Sequence, residues 1–404
     1  MNASETDRLE YGFAHRRALI LLSMAMVGTM ATWFSMTAVL PELAAQWGMS
    51  AAAESLPTVM VQAGFVAGSL IFAFLNVPDR VSPPDLFFWS GCAAGLFTLL
   101  TAFTDRLTEA LALRFLTGMS LAGVYGPGLK LAATWFRARR GEAMGIIIGA
   151  LTIGSASPHL VRGMNTGSWE LVLIVAGIAS IAGSFIVKRF VPPGPYPPAT
   201  GQFDPRAIPR LLRQRTVRLA NIGYLGHMWE LYAMWTWIGL YIAYSMAAGG
   251  RPSASSWPSL LAFIIIASGF VGAWLGGVLA DRIGRERVVL ASLAASGTMA
   301  AVIGFAYGNA SWLLAVIGVI WGISIIADSA QFSAILTERV EARFVGTALT
   351  LQLALGFALT ALIIMALPLF ASLTGWKFAF WMLVPGPVVG IWSTYRLLKF
   401  SRTA

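Results

Sequence analysis

Twelve separate stretches of this chain are apolar for long enough to cross the ~30 Å hydrocarbon layer of a bilayer as helices. They fall at approximately 18–40, 54–76, 86–104, 108–135, 142–164 and 168–190. After a polar interval they resume at approximately 219–244, 258–279, 288–307, 311–337, 345–370 and 377–396. Lipid offers no partner to a backbone N–H or C=O, so each stretch must close its hydrogen bonds internally. The expectation is an all-α integral membrane protein of 12 transmembrane helices in two six-helix, pseudo-symmetric bundles. Residues 1–190 form the first bundle, 191–217 a central loop and 218–404 the second. Composition points the same way: 57% of the residues are apolar and 11% charged, too few charges to coat a water-soluble chain of this size.

Basic residues orient the chain. With the N-terminus inside, 22 of the 28 Lys and Arg residues fall on the cytoplasmic side, counting Arg8, Arg16 and Arg17 of the N-terminal tail. Only Arg106, Arg251 and Lys377 fall outside, and Arg114, Lys130 and Arg162 lie within spans. This asymmetry sets both termini in the cytoplasm. It also explains the net charge of +10 as a topology signal, which excludes nucleic acid as a partner. The central loop begins with prolines and glycines that forbid a long helix. Its later arginines (Arg206, Arg210, Arg213, Arg215 and Arg218) suit a surface helix against anionic headgroups. The single cysteine, Cys92, lies in an apolar run and reads as a small buried hydrophobe.

The loop GGVLADRIGRER, residues 276–287, joins two apolar runs through a tight turn that Gly284 permits. Its Gly277, Leu279, Ala280, Asp281, Arg282, Gly284 and Arg285 resemble the cytoplasmic loop motif of the major facilitator superfamily. Asp79 and Arg80 stand 202 residues earlier, half the chain away, as two parallel repeats require. That first copy lacks the flanking glycine and the later arginines, and Pro78, Pro83 and Pro84 intrude. Arg114 opens RFLTG, similar to the family's fourth-helix motif R-x-x-x-G. The resemblance implies a conformational gate of Asp281, Arg282, Gly284, Arg285, Asp79 and Arg80, with Asp281 held near Gly141 at the start of the fifth helix. It also implies a role for Arg114 in proton coupling or in recognising substrate charge.

Ionisable residues inside spans are the informative ones, since each is costly unless paired or facing a cavity. Arg114, Lys130, His159 and Arg162 lie in the first half; His227, Glu230 and Asp328 lie in the second. The first half is therefore basic and the second acidic, an asymmetry that a two-fold repeat does not require. In the resembled family all seven fall on helices that line the central cavity. Arg114 and Arg162 also lie near the outer ends of their spans, where an arginine can reach the surface. Lys130 lies near the inner end, where it reads equally as an interfacial anchor. Thr152, Ser155, His159 and Arg162 share one helical face, as do His227, Glu230, Met234 and Trp237. Glu230 is near mid-span, the position a proton-coupling carboxyl needs; the competing reading pairs it with Lys130 or His227. Ser324, Asp328, Gln331 and Ile335 form another stripe, and Gln62 and Gln352 add uncharged donors and acceptors.

Together these imply secondary active transport by rocking of two halves, proton-coupled, moving a small anionic solute. Arg114, Lys130, Gln62, His159, His227, Trp237, Gln331 and Gln352 would bind it, and Glu230 and Asp328 would handle protons. The alternative is proton-driven efflux of an amphipathic or cationic compound, bound by the acids and stacked on aromatics. No H-E-x-x-H or G-x-S-x-G motif supports an enzyme. No cofactor is expected beyond a proton gradient, and no partner beyond solute and membrane lipid, for a monomer. Arg outnumbers Lys 24 to 4, which points to a G·C-rich bacterial genome and a multi-pass protein of the inner membrane.

Overall fold

The computed structural model describes residues 12–137, 140–164, 167–196, 203–251, 256–309 and 311–403. Arg8, Arg139 and loop residues 197–202 lie outside them. Regular structure among the described residues is helical. The long passages are α1 (Phe13–Met30), α2 (Leu56–Phe74), α3 (Pro83–Thr101), α4 (Leu107–Ala133), α5 (Arg140–Met164) and α6 (Glu170–Phe190). They continue as α7 (Arg215–Ala248), α8 (Trp257–Ile283), α9 (Arg285–Val302), α10 (Ser311–Arg339), α11 (Val345–Thr374) and α12 (Pro385–Thr403). Among the described residues, nine are apolar and long enough to cross a membrane; α1, α3 and α7 are the long helices that fall short. α7 falls short because it carries Asn221, His227, Glu230 and several Tyr and Trp residues.

Large apolar side chains cover the outside. Trp89 and Phe103 near α3, Trp312 and Val316 on α10, and Leu362 and Leu369 on α11 are all exposed. That distribution suits hydrocarbon as solvent, and the protein is a multi-pass membrane protein. Without a hydrophobic force between helices in lipid, close backbone approach must hold them together. A Cβ on Gly64 would stand 1.9 Å from the Phe115 carbonyl oxygen, and one on Gly118 would stand 2.0 Å from that of Val61, so only glycine lets α2 and α4 touch. α8 and α10 repeat the device, with Gly272 against Ile323 and Gly322 against Ile265 at 1.8 Å each. Across the halves α5 packs on α8, and α2 packs on α11.

Two expectations need correction. The first apolar run does not continue as one helix to residue 40: α1 stops at Met30, and the chain turns through residues 31–36 before the short helix Leu40–Trp47. The basic part of the central loop is not one continuous surface helix. Its helix is only Ile208–Arg213, Arg210 pairs with Glu341 at 2.8 Å, and Arg215 and Arg218 belong to α7. Asp204 N donates to Thr347 Oγ1 at 2.9 Å and Phe203 N to Asn76 Oδ1 at 3.2 Å, which pins this segment to the ends of α11 and α2.

Candidate functional site

In the first half, Arg114 is 1% exposed and does not reach the outer surface. Its Nη1 donates to the Thr32 carbonyl at 2.8 Å and to Ser35 Oγ at 3.2 Å, and its Nη2 donates to the Trp33 carbonyl. These carbonyls lie just past the end of α1, where the helical ladder has stopped. A cation there meets both the missing donors and the negative end of the helix. The Arg114 Nε has no partner among the described residues. Lys130 is sixteen residues further along α4, about 24 Å away at helical rise. It does not join Arg114: Nζ donates to the Pro78 carbonyl at 2.8 Å and to Asp79 Oδ1 at 2.9 Å. Arg162 likewise pairs with Glu42, Nε to Oε1 at 2.9 Å.

The loop motif forms one connected patch. Asp281 lies against the second residue of α5: a Cβ on Gly141 would be 2.6 Å from Asp281 Oδ2. The positive end of α5 favours a carboxylate there. Gly284 has φ +91°, a conformation open to glycine, and it lets α9 start at once. Arg285 donates to Glu338 Oε1 at 2.7 Å and to Gln331 Oε1 at 3.1 Å, while Gln331 Nε2 reaches the Gly276 carbonyl at 3.4 Å. Gln331 therefore ties α8, α9 and α10 together, where the sequence reading had it bind solute. Arg80 and Arg282 are exposed.

The second half buries its acids. Glu230 is 1% exposed and accepts from Trp321 Nε1 at 2.6 Å and Ser296 Oγ at 2.9 Å. Neither Lys130 nor His227 is its partner. His227 Nδ1 lies 2.9 Å from Asp328 Oδ1, both residues being 1% exposed. Asp328 occupies the break in α10 between Ile326 and Ser329, and neither of its oxygens accepts a well-directed hydrogen bond. Trp237 donates to the Ile364 carbonyl at 3.1 Å, a contact inside the second half.

Between the halves lies a small cavity of about 20 Å³, room for about one water, so the two halves are nearly closed on each other here. Tyr125 of α4 and Ile148 and Leu151 of α5 face Tyr224, Met228 and Tyr232 of α7 across it. Ser329 and Ser333 of α10 and Phe357 of α11 complete the wall. Rings from both halves interlock beside it: Phe65 and Phe357 centroids are 4.4 Å apart, Trp33 and Phe65 5.0 Å, and Tyr232 and Phe357 5.1 Å. Arg114 thus holds the backbone that presents Trp33 to this seam. Buried polar atoms without a partner among the described residues also gather on the central helices and on the turn after α1. They are both side-chain ends of Gln62, and the Nε atoms of Trp33, His159, His227, Trp235 and Gln352. Each needs a water or solute partner to offset its desolvation. His159 faces Gly239 of α7, whose Cβ would stand 3.1 Å from His159 Cε1.

None of the side chains proposed from sequence to bind solute lines this cavity. Sequence reasoning missed Tyr125, Tyr224, Ser329, Ser333 and Phe357, and it left Tyr232 unsorted among the α7 rings that face either lipid or cavity. A signal existed on α7: Tyr224, Met228, Leu231, Tyr232 and Trp235 recur at i, i+4, i+7, i+8 and i+11.

Residues 21–276 match the family described as the Major Facilitator Superfamily. Relatives include the MFS-type transporter pytF of Aspergillus terreus, 28% identical over 43% of this chain and 58% of that one. The inner membrane transport protein YnfM of Escherichia coli is 25% identical over 44% of this chain and 42% of its own length. The probable sulfoacetate transporter SauU of Cupriavidus necator is 25% identical over 51% of each. The chain spans about half the length of these curated relatives. The crystal structure of a mutant of the nucleoside transporter NupG superposes with a TM-score of 0.70, covering 94% of this chain and 99% of that one. At 12% identity, that likeness concerns the fold alone.

Proposed function

The chain belongs to the Major Facilitator Superfamily, and from that premise we propose that it is a secondary active transporter of the bacterial inner membrane. Twelve spans in two six-helix halves, with both termini cytoplasmic, rock about a midplane site and expose it alternately to either side. The observation that carries this reading is the cavity walled by both halves, with unpartnered buried polar atoms on the helices around it. Protons are handled by Glu230 and by the His227–Asp328 pair. Each member of the pair is next in sequence to a cavity-lining residue, His227 to Met228 and Asp328 to Ser329.

The cavity wall favours an amphipathic organic solute: tyrosine rings, Met228 and Phe357 offer apolar contact, and hydroxyls offer hydrogen bonds. A second reading, a small organic anion, is favoured by the buried Arg114 with its unpartnered Nε and by the resemblance to the probable sulfoacetate transporter SauU. In that reading Arg114 releases α1 when the solute arrives. Thermal unfolding against a panel of carboxylates, sulfonates, lipophilic cations and neutral aromatics separates the two, because a bound ligand raises the melting temperature by mass action. Stabilisation by an amphipathic compound that Tyr232→Ala abolishes supports the first reading. Stabilisation by anions alone, abolished in Arg114→Ala and retained in Tyr232→Ala, replaces it with the second.

A further inference from the structure

Where α7 begins and α12 nears its end, an open pocket is lined by Arg215, Arg218, Leu219, Ile222, Trp392 and Arg396. We propose that this pocket holds the headgroup of an anionic phospholipid. The three arginines grip its phosphate, and Leu219, Ile222 and Trp392 lie along the upper acyl chains.

Charge accounting is the first argument. Several other cations at this end of the molecule are answered within the protein, Lys188 by Asp85, Arg210 by Glu341, Arg285 by Glu338 and Arg339 by Glu286, while Arg80 and Arg282 stand exposed and apart from any such cluster. Among the described residues, no carboxylate stands within salt-bridge distance of Arg215, Arg218 or Arg396. Three like charges around one hollow repel, so an external anion is the favourable occupant. The guanidinium of Arg215 lies 5.4 Å from the Phe400 ring and that of Arg396 5.4 Å from the Trp392 ring. Such stacking orients a guanidinium while leaving its N–H edge available for a phosphate.

Position is the second argument. α7 starts here, with no acid in its first turn and no side-chain cap from Gln214, so its positive end adds to the field of the arginines. Trp392 is half exposed beside the basic cluster. An amphipathic ring next to arginines, with apolar residues one and two turns deeper, is the profile of the headgroup level of a bilayer. A basic pocket between spanning helices on the cytoplasmic side suits an acidic headgroup. The inference needs only that the chain sits in a membrane; it is independent of the transported solute.

The test is a binding titration on the purified full-length protein in a neutral detergent, with phosphatidylglycerol, phosphatidylcholine or inorganic phosphate as probe. Binding is read by retained lipid in native mass spectrometry and by thermal unfolding. The wild type should bind phosphatidylglycerol in preference to phosphatidylcholine, and added salt should weaken the binding. The combined Arg215→Gln, Arg218→Gln, Arg396→Gln variant should lose on the order of a hundredfold in affinity, about fivefold per arginine. The corresponding triple Arg→Lys variant keeps the charge and should retain most of the binding, so a folding defect in the Gln variant does not decide the question. Equal binding of phosphatidylcholine overturns the proposal, as does unchanged affinity in the Gln variant. Stabilisation by inorganic phosphate equal to that by phosphatidylglycerol assigns the pocket to a soluble anion and overturns the lipid.

Discussion

Arg114 in the first half and Glu230 in the second are buried alike, each 1% exposed, yet their surroundings differ in kind. The guanidinium is fastened to the opened end of α1 by two hydrogen bonds to backbone carbonyls and one to the Ser35 hydroxyl. The carboxyl group is held by two neutral side-chain donors, Trp321 and Ser296, with no cation beside it. The first arrangement fixes a shape. The second fastens no helix end: only two side-chain donors answer it. Buried charge in the first half thus fixes the turn that carries Trp33, whereas buried charge in the second half is held by side chains alone, the difference on which the proposed proton coupling rests.

The strongest way to break this contrast is to exchange the behaviours. Arg114→Met should destabilise the protein by about 3 kcal/mol, since carbonyls bonded to a charged donor are left buried and unpaired. Chemical denaturation in detergent reads this directly. Arg114→Lys should recover only part of it, because an ammonium lacks the fork that spans two carbonyls. A destabilisation below about 0.5 kcal/mol, the level of an ordinary surface change, would mean that Arg114 is not a structural cation. Glu230→Gln should cost less, about 1 kcal/mol, because Trp321 and Ser296 both donate and one of them would then face an amide N–H. Its functional effect should be larger than its effect on stability. In proteoliposomes, gradient-driven accumulation should disappear while solute exchange without a gradient persists.

Asp281→Asn comes next. Removing a charge at the start of α5 is worth about 0.3–1 kcal/mol, a two- to fivefold shift in the balance between conformations. Labelling of a cysteine placed at Ala143, in a Cys92→Ala background, should speed up by that factor as the cytoplasmic side opens more often. Unchanged labelling would remove Asp281 from the gate. The smallest effect should come from Lys130→Gln, about 0.5 kcal/mol, as its partner Asp79 is partly exposed and such pairs contribute little. A severe loss of transport in that variant would restore Lys130 as a solute contact.

These contrasts also mark what the sequence could and could not reveal. The turn after α8 was readable because it depends on local chemistry: Gly284 supplies the positive φ, and Asp281 precedes it by three residues. The places of the long helices were readable because hydrocarbon imposes a length on apolar runs. The end of α1 was not, because residues 31–39 contain neither Gly nor Pro. The break depends on Arg114, about eighty residues away. Lys130 was placed on the correct helix, but its partner lies in a loop whose path sequence does not show. The cavity face of α7 was missed for a different reason. This helix is buried nearly all round, so the recurrence of Tyr224, Met228, Leu231 and Tyr232 does not stand out from its other buried faces. Glu230 and His227 drew attention to one side, while Tyr224, Met228 and Tyr232 line the cavity on the adjacent one.

The most direct measurement is proton movement driven by solute in proteoliposomes loaded with a pH-sensitive dye. Wild-type protein should be compared with Glu230→Gln and Asp328→Asn, using whichever compound stabilises the purified protein. The account predicts a solute-dependent pH change in the wild type and solute movement without a pH change in both variants. Solute movement in the wild type with no accompanying proton flux would contradict it.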